Sequence, residues 1–190
     1  MDNNFHRYIN LPFEIVKPTH FEEHHDQPKH QAYLDTEADY AKPMLEWLKQ
    51  FGLKCEFIES FYTPAGGGSI PPHTDNALLT DMVKINITWG PEEGTTKWWS
   101  ASRIRVFHAT PEITENTNKN QTCLLADEKD CTLLYSANTN RPSLIQVGAI
   151  HSTHNPGSVG RHTLCFLLYT KDMEHLTWDN AMLIFKDYIE

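Results

Sequence analysis

The chain has 190 residues, 39% of them hydrophobic and 11% aromatic, which suffices for one domain with a substantial core. Its 16 Lys and Arg against 25 Asp and Glu give a formal charge of −9, a surface that repels phosphate backbones; no basic block overrides it, so nucleic acid is not an expected partner. No run of about 18 apolar residues offers a membrane span, and Met1-Asp2-Asn3-Asn4 lacks the basic-then-apolar order of a secretory signal, so a cytoplasmic protein away from membranes is expected.

The first forty residues are polar and rich in histidine, with an extended piece over 8–16. A helix is predicted over 43–51, with Thr36 as an alternative start. Pro43 suits its first turn, Leu45, Trp47, Leu48 and Phe51 supply an apolar face, and Gly52 ends it. The period then changes to alternation. Strands are predicted over 54–63, 82–89, 97–100, 104–108, 131–136, 144–151 and 161–170, separated by Gly, Pro, Asn and Thr. The polar stretch 111–129 reads as an exposed loop, and a last helix is expected over 179–188. Many short strands with turn signals between them point to an antiparallel sandwich or barrel.

Alternation assigns faces. Val83, Ile85, Ile87 and Trp89 share one side of their strand, and Lys84, Asn86 and Thr88 the other. Ile145, Val147, Ala149 and His151 share a face, as do Arg161, Thr163, Cys165, Leu167 and Tyr169. A wall that mixes polar with small apolar residues is the lining of a ligand pocket. Of the four cysteines, Cys55 and Cys165 fall in strands and are expected to be buried free thiols.

Two segments carry chemistry. The first is Gly66-Gly67-Gly68-Ser69-Ile70-Pro71-Pro72-His73-Thr74-Asp75; the second runs from Val147 to His151 and on through Asn155, Arg161 and Thr163. Two ligands two residues apart on extended backbone point the same way, so His73 and Asp75 can reach one ion. His151 supplies a second imidazole, and His154, three residues on, is the alternative. With a turn at Asn155-Pro156-Gly157, a hairpin would bring His151 and Arg161 to one pocket. A buried arginine there calls for an anionic partner. Two imidazoles and a carboxylate leave one face of a ferrous ion open. A second His-x-Asp, His24-His25-Asp26, lies in a charged segment without flanking strands and reads as a solvated loop.

The order His-x-Asp, distal His, then Arg-x-Thr ten residues on resembles the iron(II)- and 2-oxoglutarate-dependent oxygenases, from about Phe57 to Tyr169. His154 is a departure, since many relatives carry an apolar residue there. The resemblance implies a mainly β double-stranded β-helix (jelly roll) with flanking N-terminal and C-terminal helices, a single domain over 1–190 with a core of about 54–170. It implies His73, Asp75 and His151 as ligands of Fe(II), Arg161 as partner of the distal 2-oxoglutarate carboxylate, and Thr163 as its helper. The implied activity is that of a dioxygenase using O2 to hydroxylate a peptide or small-molecule substrate; the carboxylate of Asp75, absent from halogenating members, favours hydroxylation. Asn86 and Lys84 face the same interior and read as contacts to the co-substrate or as sheet-edge polar residues, and Tyr62 reads as a hydrogen-bond donor to the oxoacid or as a core tyrosine. Trp98-Trp99 read chiefly as packing, and Gly66–Gly68 as a lid beside the metal. The competing reading is a cupin-like metal-binding barrel, a binding or isomerase module without 2-oxoglutarate.

Overall fold

The computed structural model describes residues 3–18, 27–33, 38–109 and 121–190. Its elements are β1 (His6–Tyr8), β2 (Lys29–Tyr33), α1 (Lys42–Gln50), β3 (Lys54–Thr63), β4 (Gly68–His73), β5 (Val83–Trp89), β6 (Thr95–Ala101), β7 (Arg105–Ala109), β8 (Gln121–Leu125), β9 (Cys131–Asn138), β10 (Ser143–Gln146), β11 (His151–Asn155), β12 (Arg161–Tyr169) and α2 (Trp178–Ile184). They form two antiparallel six-stranded sheets. The first has the order β1-β10-β5-β12-β3-β2, the second β7-β8-β4-β11-β6-β9. From β3 to β6, and again from β9 to β12, successive strands alternate between the sheets. That winding is a double-stranded β-helix, and the β7–β8 hairpin extends the second sheet beyond β4.

The outer face of the first sheet meets both helices. Val83, Ile85, Ile87, Ile58, Leu164 and Phe166 pack there against Met44, Trp47, Leu48 and Phe185. Trp47 stacks on Phe185 with ring centroids 5.2 Å apart. The helix α1 ends where Gly52 takes φ +70, a left-handed turn that glycine adopts without a Cβ penalty. Between the sheets a smaller apolar cluster of Met82, Trp98, Ala137, Ile145 and Val147 closes one part of the interior. The rest of the inner wall mixes polar residues with Phe61, Ile70 and Cys165.

Three sequence expectations change. The strand predicted over 144–151 is two strands in different sheets: β10 stops at Gln146, and β11 begins at His151. The crossover needs Gly148, where a Cβ would lie 2.2 Å from the Leu79 carbonyl oxygen. Consequently β11 and β12 are not a hairpin but face each other across the interior. The glycine-proline segment before His73 is also a strand, β4. Pro71 and Pro72 sit at the bulge where pairing with β11 slips, so their missing N–H groups leave no gap in the ladder. Finally, the predicted loop 111–129 contains β8 and a single 3-10 turn, Glu128–Asp130, with 111–120 outside the described residues. The strand β8 forms because β7 and the end of β4 offer it partners. The polar segment holding His24 and Asp26, and the alternative helix start at Thr36, also lie outside the described residues.

Candidate metal centre and anion pocket

His73 ends β4 and His151 begins β11, and the two are directly opposed across the strand pair. Opposed residues of an antiparallel pair project to one side at short range, and the rings sit 4.6 Å apart between centroids. Asp75 follows two residues after His73. Its N–H donates to the Val147 carbonyl at 3.1 Å, and Thr74 is tied to Leu124 in both directions. Asp75 Oδ1 lies 3.3 Å from His73 Nε2 and 3.5 Å from His151 Nε2. One ligand atom from each of the three residues falls within 4.8 Å of the others.

The remaining ring nitrogens decide the tautomer. His73 Nδ1 is 2.8 Å from the Pro71 carbonyl oxygen, and His151 Nδ1 is 3.0 Å from that of Ala149. A carbonyl only accepts, so each Nδ1 carries a hydrogen and Nε2, the nitrogen turned toward Asp75, is left as the candidate ligand atom. Backbone tethers of this kind orient metal-binding imidazoles. Burial, reinforced by the charge of His73, lowers the His151 pKa to about 4, so its ring is neutral at physiological pH. Burial opposes ionisation of Asp75, but the Lys84 ammonium and the His73 hydrogen bond outweigh it and hold the carboxyl well below its usual range. For His73, burial is likewise outweighed by Asp75, and its pKa rises. Two imidazoles and one ionised carboxylate form a donor set suited to a first-row divalent cation.

His154 belongs to the opposite face. It lies three residues along the same strand, its Nε2 is 2.8 Å from Ser152 Oγ, and Trp99 Nε1 donates to that same hydroxyl at 2.7 Å. Odd spacing on a strand turns it away from the cluster, so His151 is the distal histidine of the group.

A small pocket opens between the sheets. The three clustered residues share it with Lys84, Asn86, Thr163, Cys165 and Arg161. Arg161, at the start of β12, is 2% exposed. It donates through one terminal nitrogen to Thr139 Oγ1 at 2.5 Å and Thr96 Oγ1 at 3.4 Å. Its Nε has no hydrogen-bond partner, and no carboxylate pairs with it among the described residues. Burial lowers its pKa from 12.5 to about 10. Gly94 lies against its stem, where a Cβ would come within 3.1 Å of Cδ. Hydroxyls surround this end: Thr88 and Thr163 are 3.1 Å apart, and so are Thr96 and Thr139. Asn86 Oδ1 is buried without a partner as well. A buried cation with an unused donor, ringed by hydroxyls, is built to receive an anion.

Tyr62 is not part of this cavity. Its neighbour Phe61 lines the interior, so Tyr62 faces outward, where it lies against His162 at 4.8 Å between ring centroids and over Gly160. Trp98 is fully buried in the inter-sheet cluster, and Trp99 packs on the other side; both serve packing. Gly66 and Gly67 make the β3–β4 turn with φ +73 and +101, and their N–H groups bond Gly157 and Asn155 carbonyls, which ties the turn to the β11–β12 connection. Cys55 and Cys165 are buried free thiols, as expected.

The sequence reading missed Glu59, Thr96 and Thr139. Glu59 Oε2 meets Lys84 Nζ at 2.5 Å, and Lys84 meets Asp75 Oδ2 at 2.5 Å. The available signal was an acid and a lysine placed within central strands, since buried charges in a sheet are found paired.

No known family model matches the chain, and no curated protein matches it. Among solved structures, EvdMO1 is similar at 14% identity and a TM-score of 0.42 over 87% of this chain, which spans only 38% of that protein. Oxalate oxidase in complex with glycolate is similar at 12% identity and 0.34, over 90% of this chain and 77% of the other. Peruvianin-I, a cysteine peptidase from Thevetia peruviana latex, is similar at 13% and 0.33, over 90% and 93%. Likenesses this distant carry no weight for activity or substrate.

Proposed function

We propose that the chain is an Fe(II)- and 2-oxoglutarate-dependent dioxygenase that hydroxylates a peptide or small molecule. One observation carries the reading: the His73, Asp75 and His151 cluster shares a cavity with Arg161, a buried guanidinium that has a spare donor and, among the described residues, no acid. A metal-binding barrel without an oxoacid has no use for a costly unpaired cation in its wall. The donor set fits a ferrous ion, and the Arg161 pocket fits a carboxylate.

His73, Asp75 and His151 would hold the ion from one side and leave its other positions to ligands. Bound there, iron supplies activation of O2 at the expense of the oxoacid, which leaves as succinate and carbon dioxide. Arg161 would pair with the distal carboxylate of 2-oxoglutarate, with Thr163 adding a hydroxyl from the same strand face. The sheets exclude bulk water from the pair, which strengthens it. With iron bound, the carboxylate of Asp75 would take the position a halide would need, which favours a hydroxylated product.

Incubation with Fe(II), ascorbate, O2 and 2-oxoglutarate should form succinate even without substrate, through slow uncoupled turnover. Loss of succinate in both Asp75→Ala and Arg161→Ala is the expected pattern. Metal binding without any oxoacid binding or succinate would favour the cupin-like barrel instead.

A further inference from the structure

We infer that Lys84 and Glu59 form a neutral buried pair that positions Asp75, so that this carboxylate can give only one oxygen to the metal. The inference rests on the metal-site reading but not on the identity of the oxoacid. The two oxygens of Asp75 have separate partners. Oδ1 faces both Nε2 atoms, while Oδ2 accepts from the Lys84 ammonium at 2.5 Å. Lys84 is 1% exposed and Glu59 7%, on neighbouring parts of the same inner sheet face. An oxygen held by an ammonium is a poor second ligand, so chelation through both oxygens is blocked. The coordination position that chelation would take stays open for ligands from solution.

Glu59 explains how a lysine is tolerated so close to a cation site. An ammonium bonded to a metal-ligand carboxylate repels a divalent ion. Glu59 Oε2, at 2.5 Å from the same nitrogen, cancels that charge. The pair therefore orients Asp75 and adds no net charge to the cavity wall. Without Glu59 the Lys84 ammonium would still pair with Asp75 and would offset the charge that the ligand carboxylate offers a cation.

The two roles separate in two variants, tested with Mn(II) on the whole chain. Glu59→Gln keeps the shape and a hydrogen-bond acceptor but leaves the Lys84 charge uncancelled. Mn(II) affinity should fall by about ten- to a hundredfold, the range for losing an outer-shell partner, while the number of water molecules on bound Mn(II), read from water-proton relaxation, stays as in wild type. The paired Glu59→Gln and Lys84→Met variant leaves the net charge of the pair at zero and frees Oδ2. Its bound Mn(II) should carry one water fewer, because Asp75 now chelates. Melting of the metal-free proteins shows that both variants are folded. A wild-type water number in the double variant would overturn the positioning role, and unchanged affinity in Glu59→Gln would overturn the charge role. Failure of the wild-type chain to bind Mn(II) would overturn the metal site itself and this inference with it.

Discussion

Replacing Arg161 with methionine should raise or preserve the stability of the ligand-free protein while removing oxoacid binding. Arg161 is buried, and desolvation lowers its pKa from 12.5 to about 10. A depressed base is penalised as a cation at every pH below its folded value, so at neutral pH the full cost applies. At about 1.36 kcal/mol per unit, that cost is on the order of 3 kcal/mol. Methionine fills comparable space without the charge, and Thr96 and Thr139 retain each other at 3.1 Å. Lost packing and the two donated bonds offset part of the gain, so the expected rise in Tm is up to about 5 °C. Binding changes the other way. A charge-assisted hydrogen bond contributes roughly 1.5–3 kcal/mol, and about 1.4 kcal/mol is tenfold in affinity. The 2-oxoglutarate Kd should therefore weaken by about ten- to a hundredfold, measured by isothermal titration with Mn(II) in place of iron to prevent turnover. Manganese affinity should remain near wild type. Arg161→Lys should keep part of the affinity, because charge survives but the planar fork does not. A methionine variant that melts several degrees lower and binds 2-oxoglutarate as wild type does would refute the reasoning.

Four further outcomes are expected. Asp75→Ala and His151→Ala should lose Fe(II) binding in anaerobic titration, whereas His154→Ala and Asp26→Ala should keep it, since His154 bonds Ser152 on the other face. With a true substrate, mass spectrometry should find a hydroxylated product, or one derived from it, even in high chloride; a halogenated product would contradict the role given to Asp75. His6 is held near a pKa of about 4 by burial, with help from Arg7 and Arg141; the unfolded chain takes up a proton between about pH 6.5 and 4 that the fold refuses, so stability should fall on acidification through that window by up to roughly 3 kcal/mol. His6→Gln should flatten that slope in urea titrations at several pH values. Trp47→Ala, which empties the contact with Phe185, Phe51 and Tyr188, should cost about 3–5 kcal/mol of stability without altering metal affinity.

The sequence alone determined the parts that depend on local periodicity. Period-two alternation in 54–63, 82–89 and 161–170 placed those strands within a residue or two of β3, β5 and β12, and assigned Lys84, Asn86, Thr163 and Cys165 to the inner face. Likewise Pro43 and Gly52 bracketed α1. The cluster of His73, Asp75 and His151 was legible because two of its members sit two residues apart on extended backbone. Other features existed only once partners were in place. The strand β4 survives two prolines because its pairing with β11 slips at those positions, which no property of the segment itself announces. The break after Gln146 arises because Gly148 can press against the Leu79–Thr80 backbone, so the apparent continuity from Leu144 to His151 hides a crossing between sheets. That crossing, not a hairpin, is what sets His151 and Arg161 on opposite walls of one cavity. The buried Asp75–Lys84–Glu59 chain spans residues 25 positions apart between Lys84 and Glu59, and only sheet register brings them within hydrogen-bond reach. Periodicity tells which way a side chain points; what it meets there is decided by the strands that fold opposite it.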